Sequence, residues 1–229
     1  MTNTFDPFAK SYNDEVDTAL RVTGFDTIAL TQCKLKKLTR LFPDLVPQHF
    51  NLLDFGCGIG NLFEAVHQFF PYTAYSGVDK SQQTITQARS RFSNHLVFHD
   101  LKSNSWKNQK YDLIFSSGVF HHIPHSDHKV ILKELYGLLN PSGRLVIWEH
   151  NPFNPFTKLI VKDCIFDQDA ELITPFLMKR NLLSVPLTNI QTLYTTFFPK
   201  PLSSLSILEP YLSWLPLGGQ FLTIGEKRG

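Results

Sequence analysis

Asn51-Leu52-Leu53-Asp54-Phe55-Gly56-Cys57-Gly58-Ile59-Gly60-Asn61 is the stretch whose reading decides the fold. Asn51 to Phe55 is a short apolar run of strand length, and Gly56 to Gly60 is a glycine-rich turn. The residues beyond place Leu62, Val66, Phe69 and Phe70 at spacings of three and four, a helix with one apolar face that Pro71 ends. In a strand-turn-helix unit, such glycines let the backbone turn sharply and approach a bound nucleotide where a Cβ would collide. A dinucleotide fingerprint wants its third glycine at the position of Asn61, and here it comes one place early. Nor does that fingerprint need the acidic Asp54 near the end of the strand. A carboxylate there suits a cationic ligand without phosphates.

Working outward, short apolar strands alternate with helical periods, the pattern of a parallel sheet covered on both faces. Tyr75 to Asp79 reads as a second strand, Ile85, Ala88 and Phe92 mark a helix, and Leu96-Val97-Phe98 is a third strand ending at Asp100. Tyr111 to Ser116 is a fourth strand, followed by a helix burying Ile131, Leu135, Leu138 and Leu139. Asn140-Pro141-Ser142-Gly143 then turns into a fifth strand, Arg144 to Glu149. Ile190 to Phe198 and Gln220 to Glu226 complete the set. Residues 1–49 read as leading helices, the clearer from about Asp26 to Phe42. Residues 151–189 hold four prolines and one short helix around Thr157–Phe166, an insertion whose length suits a lid or binding segment.

The whole chain of 229 residues therefore reads as a single α/β domain. Its 22 basic and 20 acidic residues give a formal charge of +2 without a basic stripe, which argues against a nucleic-acid partner. Three scattered cysteines, Cys33, Cys57 and Cys164, suit reduced thiols. The start MTNTFDPFAK has no basic segment followed by an apolar run, and no stretch reaches a membrane span of roughly 18 residues, so a cytoplasmic protein is expected.

The turn Asp54-x-Gly56-x-Gly58-x-Gly60 resembles that of the class I S-adenosylmethionine-dependent methyltransferases, and further matches follow in order. They are Gly77-Val78-Asp79-Lys80 after the second strand, His99-Asp100-Leu101 after the third, Tyr111 to His122 around the fourth, and Leu139 to Leu145 before the fifth. The resemblance covers roughly residues 45–150. It implies a doubly wound seven-stranded sheet of order 3-2-1-4-5-7-6, mostly parallel with its last strand antiparallel and with helices on both faces. It also implies S-adenosylmethionine as cofactor and methyl transfer to oxygen or nitrogen of a small-molecule acceptor. Asp54, Gly56, Cys57, Gly58 and Gly60 would wrap the methionyl part, and Asp79 with Lys80 would meet the ribose. Asp100 and the Leu101 N–H would meet the adenine, and Ser116, Ser117 and Val119 would line the site from the fourth strand. The N-terminal Phe5-Asp6-x-x-Ala9-x-x-Tyr12-Asn13 is similar to a segment that such enzymes fold over the cofactor, which places Tyr12 near the methionyl end.

Methyl transfer from a sulfonium needs positioning above all, and a base only where the acceptor is protonated. His121, His122 and His150, with Glu149, stand at the strand ends where an acceptor would approach, and imidazole titrates near neutrality. His121, His122, His125 and His128 lack a cysteine or carboxylate cluster to complete a zinc set, so no metal is expected. Leu205 to Leu217 covers a sheet edge, lines an apolar pocket or makes peripheral membrane contact, with core packing the default. Two other readings stand beside the enzyme: a cofactor-binding regulatory or scaffold protein without turnover, and a nicotinamide-dependent oxidoreductase, which Asp54 and the third glycine oppose.

Overall fold

A computed structural model describes residues 11–92, 95–167 and 170–229. Phe5, Asp6 and Ala9 of the N-terminal resemblance lie outside the described residues. Seven strands form one sheet: β1 (Phe50–Phe55), β2 (Thr73–Asp79), β3 (Phe98–Asp100), β4 (Tyr111–Ser117), β5 (Leu139–His150), β6 (Leu187–Thr195) and β7 (Gln220–Lys227). Their order is β3-β2-β1-β4-β5-β7-β6. Pairings are parallel from β3 through β5, and β7 runs antiparallel to both β5 and β6. The order expected from the resemblance is the order observed.

Two-residue periodicity divides the strands between two cores. Leu52, Leu113, Phe115, Val146, Trp148 and Leu222 face one way and pack on Leu35 and Leu38 of α2 (Thr27–Leu41) and on Val66 of α3 (Asn61–Phe69). Leu53, Ile114, Leu145, Ile147 and Phe221 face the other way, onto Leu132 and Leu135 of α5 (His128–Leu138) and Met178 and Leu182 of α7 (Pro175–Leu182). Between α3 and α5 lies α4 (Gln82–Arg91), started by Ser81, whose hydroxyl accepts from the Thr84 N–H. The leading helix α1 (Tyr12–Leu20) packs against α2 and against α6 (Pro155–Asp163).

Three expectations needed adjustment. Residues 95–97 form a 3-10 turn, which shortens β3 to Phe98–Asp100. β5 starts at Leu139, not Arg144, because Leu139 pairs with Tyr111 and the 140–143 turn is absorbed as an irregularity of the ladder. In the 151–189 insertion two helices form where one was expected, and two of its four prolines open them. Pro155 and Pro175 stand at the first turn, where a missing N–H costs nothing, after the capping residues Asn154 and Thr174. A short helix α8 (Glu209–Leu212) precedes β7. Among the described residues no helix is long and apolar enough to cross a membrane.

Candidate functional site

The carboxyl ends of β1, β2, β4 and β5 meet where the strand order reverses, and two cavities open there. Both are lined by Tyr12, Gly56, Gly58, Ser117, Gly118 and His122. The first extends over Asp54, Cys57, Lys34 and the histidine turn to Glu149 and His150. The second extends over Val78, Asp79, Lys80, Leu101 and Val119. The turn after β1 is held in place by backbone bonds from the Gly56 and Cys57 N–H groups to the Val78 carbonyl.

The glycines of that turn divide by what their missing Cβ atoms would meet. At Gly58, φ is +52° and nothing lies within 4 Å, so the backbone borders open space. At Gly56, φ is +84° and a Cβ would stand 2.2 Å from Val119 Cγ2, so this glycine serves the packing of the turn on the loop after β4. The Cβ side of Gly60 faces the rings of Phe92 and Phe98, and Gly60 lines neither cavity.

Asp79 ends β2 with Oδ2 accepting from the Gly58 N–H at 2.9 Å and Oδ1 from the Ser81 N–H at 2.8 Å. Burial raises its pKa, against the pull of those two donors. Asp54 is buried, and its Oδ2 accepts from the Tyr75 hydroxyl at 2.7 Å. Burial lifts its pKa to about 7, with the Tyr75 hydrogen bond opposing and the Asp79 charge adding to the rise. Leu101 lines the second cavity, but its N–H is spent on the Asp79 carbonyl at 2.8 Å. That geometry corrects the expected adenine contact through this group. Asp100 lines neither cavity and uses Oδ1 to accept from the Lys102 N–H. Ser116 is enclosed in β4, whereas Ser117 faces both cavities, and neither buried hydroxyl has a partner among the described residues. Tyr12 packs its ring on Phe166 at a centroid distance of 4.9 Å, and burial raises its pKa.

The histidine wall has an order that its sequence does not display. Pairing of Ser117 with Trp148 sets Glu149 beside the 3-10 turn Phe120–His122. The Glu149 carboxylate accepts from the Val119 and Phe120 N–H groups at 3.0 and 2.7 Å and faces His121 Nδ1 at 2.5 Å. The other nitrogen of His121, Nε2, meets Asp167 Oδ1 at 3.2 Å. Burial alone would lower the pKa of His121, but the charge of Glu149 and the bonds to Asp167 outweigh it and raise it to about 10. Both ring nitrogens therefore carry protons at neutral pH, and the base role expected of His121 does not suit this geometry. Glu149, with its oxygens committed to two amides and an imidazolium, is held below the usual carboxylate range despite its burial.

His122 and His150 differ from it. Burial first, then the neighbouring His121 charge, lowers His150 to about 4, and burial likewise lowers His122. Both are neutral imidazoles at pH 7. His122 Nε2 lies 3.3 Å from Asp167 Oδ1, and His150 Nε2 lies 3.9 Å from Asp167 Oδ2. Burial would raise Asp167, but hydrogen bonds from His121 and His122 keep it far below the usual range.

Asp167 and Lys34 are the residues that sequence reasoning missed. Asp167 follows α6 in the short turn Ile165–Asp167, without a periodic pattern to mark it. Lys34 lies on α2 and reaches the first cavity, where burial lowers its pKa to about 8 against the attraction of Glu149 and Asp54. A spacing of three from Thr31 to Lys34 placed it on the helix face turned to the sheet, and that was the available signal.

Residues 53–145 match a family model described as a methyltransferase domain. Trans-aconitate 2-methyltransferase of Escherichia coli O1:K1 / APEC is 29% identical over 119 residues, 52% of this chain and 46% of that protein. The protein of that name from Shigella flexneri is 30% identical over 117 residues, 51% and 45% of the two chains. The chain thus spans less than half the length of these relatives. Among solved structures, a SAM-dependent methyltransferase from Thermotoga maritima aligns over 100% of both chains with a TM-score of 0.67 and 17% identity. One from Archaeoglobus fulgidus aligns over 86% of this chain and 94% of its own, with a TM-score of 0.62 and 17% identity. The strand order and the glycine turn agree with these likenesses: residues 53–145 resemble a methyltransferase domain, on the fold of the S-adenosylmethionine-dependent methyltransferases.

Proposed function

We propose that the chain transfers a methyl group to oxygen or nitrogen of a small acceptor that carries an apolar portion. The observation that carries this reading is the sharing of one wall by two cavities, so that a ligand spanning both presents its middle to the histidines. The residues present fit S-adenosylmethionine. Open space over Gly58 admits a ligand against the backbone, Ser117 offers an unpartnered buried hydroxyl, and the Asp79 carboxylate retains acceptor capacity beside Gly58. Asp79 would hold the ribose hydroxyls, and Asp54 the ammonium end. Bound there, the cofactor supplies an activated methyl on a sulfonium. This chain's residues orient the acceptor and exclude water around it.

A third cavity favours an acceptor with an apolar body. It is lined by Leu20, Phe25, Leu30, Phe156, Ile160 and Phe197 among others, and it shares Leu20, Leu30, Ile160, His150 and Gln220 with the methionyl-side cavity. Val22 and Phe156 stand exposed at its rim. His150 thus sits at the junction of the two, where a nucleophilic head would meet the methyl while an apolar part lies in the third cavity. Trans-aconitate, the acceptor named for the relatives, is a tricarboxylate and has no apolar body to place there.

The experiment is incubation with methyl-labelled S-adenosylmethionine and fractionated metabolites and lipids, read by mass spectrometry. Labelled products in fractions of amphipathic O- or N-nucleophiles are expected. Labelling of short polar acids alone would refute the acceptor class, and cofactor binding with no labelling at all would favour a protein without turnover. Melting-temperature shifts with S-adenosylhomocysteine but not with a nicotinamide dinucleotide are expected in parallel.

A further inference from the structure

The histidine wall contains a donor set that the sequence did not show. His121 and His122 come from the turn after β4, His150 from the end of β5, and Asp167 from the turn after α6. One ligand atom from each of His121, His150 and Asp167 lies within 4.8 Å of the others. His122 Nε2 stands 3.3 Å from Asp167 Oδ1 but outside that group. We propose that His121, His150 and Asp167 bind a divalent transition-metal ion at the acceptor wall, with one position left open.

Three observations carry this. Zinc bonds to imidazole nitrogen and carboxylate oxygen of about 2.0–2.1 Å place tetrahedral ligand atoms about 3.3–3.4 Å apart. The separation of 3.2 Å from Asp167 Oδ1 to His121 Nε2 is close to that edge, and His150 Nε2, 3.9 Å from the other carboxylate oxygen Oδ2, needs a shift to share the ion. Next, Glu149 grips His121 Nδ1 while Nε2 points at Asp167, so an ion that displaces the Nε2 proton finds the imidazole oriented as in a carboxylate-histidine-metal relay. Glu149 is itself fixed by two backbone N–H donors, so it acts as a support and not as a ligand. Finally, the chemistry of two imidazoles and one carboxylate suits zinc, iron, cobalt, nickel or copper more than magnesium or calcium. The expectation of no metal concerned His121, His122, His125 and His128, all within one segment. His150 and Asp167 lie beyond that segment, and His125 and His128 turn elsewhere, His128 Nε2 to the carbonyls of Phe120 and Ile123.

Metal binding stands on the donor set alone. Its use, polarising an acceptor oxygen or nitrogen beside the transferred methyl, rests on the methyl transfer proposed above. The test is titration of EDTA-stripped protein with zinc and with cobalt(II), followed by calorimetry, metal analysis after desalting and the visible spectrum of the cobalt form. One ion per chain and an intense tetrahedral cobalt spectrum are expected. Asp167→Asn and His150→Ala should each abolish stoichiometric retention, Glu149→Gln should weaken binding 10- to 100-fold, and His125→Ala should leave it unchanged. S-adenosylhomocysteine melting shifts on the same samples report folding and separate the two readings. Cofactor binding without metal binding in wild type overturns the metal site alone, and metal binding without cofactor binding overturns only the cofactor reading. Equal loss in His125→Ala and His150→Ala, or retention by both Asp167→Asn and His150→Ala, also overturns the site.

Discussion

If Asp54 holds the ammonium end of the cofactor, binding must depend on pH around neutrality. Burial lifts this carboxyl to about 7, so a substantial part of the free protein has it protonated at physiological pH. Only the ionised form attracts a cation, so affinity rises as pH rises through that midpoint. The ionised fraction is about 0.09 at pH 6 and about 0.91 at pH 8, and apparent affinity scales with the competent fraction. A roughly tenfold gain follows from this one group. His150, pushed down to about 4, and His121, pushed up to about 10, do not titrate in this window. Lys34, lowered to about 8, does change in the window. The readout is therefore the difference between wild type and Asp54→Asn. S-adenosylhomocysteine titrated by calorimetry from pH 6 to 8 should give a sloped profile in wild type, a flatter and weaker one in Asp54→Asn, and a midpoint moved upward in Tyr75→Phe. The last shift follows because the Tyr75 hydroxyl, donating at 2.7 Å, holds the carboxyl down. Wild-type and Asp54→Asn profiles that run parallel across this range would refute the assignment.

Asp79→Ala should weaken S-adenosylhomocysteine by roughly 1.5–3 kcal/mol, the worth of hydrogen bonds to a charged group, and equal affinity by calorimetry would remove the ribose role. Gly58→Ala should cost about 1–2 kcal/mol of folding stability through its left-handed backbone, yet abolish cofactor binding by filling the open space. Gly56→Ala should cost about 2 kcal/mol or more, because a Cβ meets Val119 at 2.2 Å; urea denaturation showing the two equally destabilised would contradict this division. Hydrogen exchange should slow in α6 and in Ile165–Asp167 when S-adenosylhomocysteine binds, as closure of a lid requires, and unchanged exchange in both segments counts against one.

The strands were legible because buried parallel strands are short apolar runs, and the turn after β1 because its glycines stand where a strand gives way to a helix. Leu96 and Val97 misled, since two apolar residues satisfy a strand pattern while the chain is still in a 3-10 turn. Pro175 concealed α7, because proline marks a break and a first helical turn equally well. His121 was legible as a site residue but not in its chemical state, which depends on Glu149, 28 residues away. That contact was within reach of sequence reasoning. Once β4 and β5 are taken as neighbours with Ser117 beside Trp148, Glu149 falls next to the turn that follows β4. Asp167 was beyond reach, because nothing in the composition of residues 151–189 says which carboxylate returns to the sheet.

The matched family segment stops at residue 145, before Glu149, His150 and Asp167, so the elements that shape the acceptor wall lie past it. They are nonetheless tied to the cofactor side by specific bonds. The Glu171 N–H donates to the His121 carbonyl at 2.9 Å, Phe166 carries the ring of Tyr12, and Asp167, next in sequence, meets the histidine turn. A shift of the 165–167 turn therefore moves a residue that covers the cofactor cavity and a residue that orders the acceptor wall together. On the proposed cofactor site, a ligand that moves Tyr12 and Phe166 would move Asp167 with them, a coupling that S-adenosylhomocysteine binding should show as altered exchange in Ile165–Asp167.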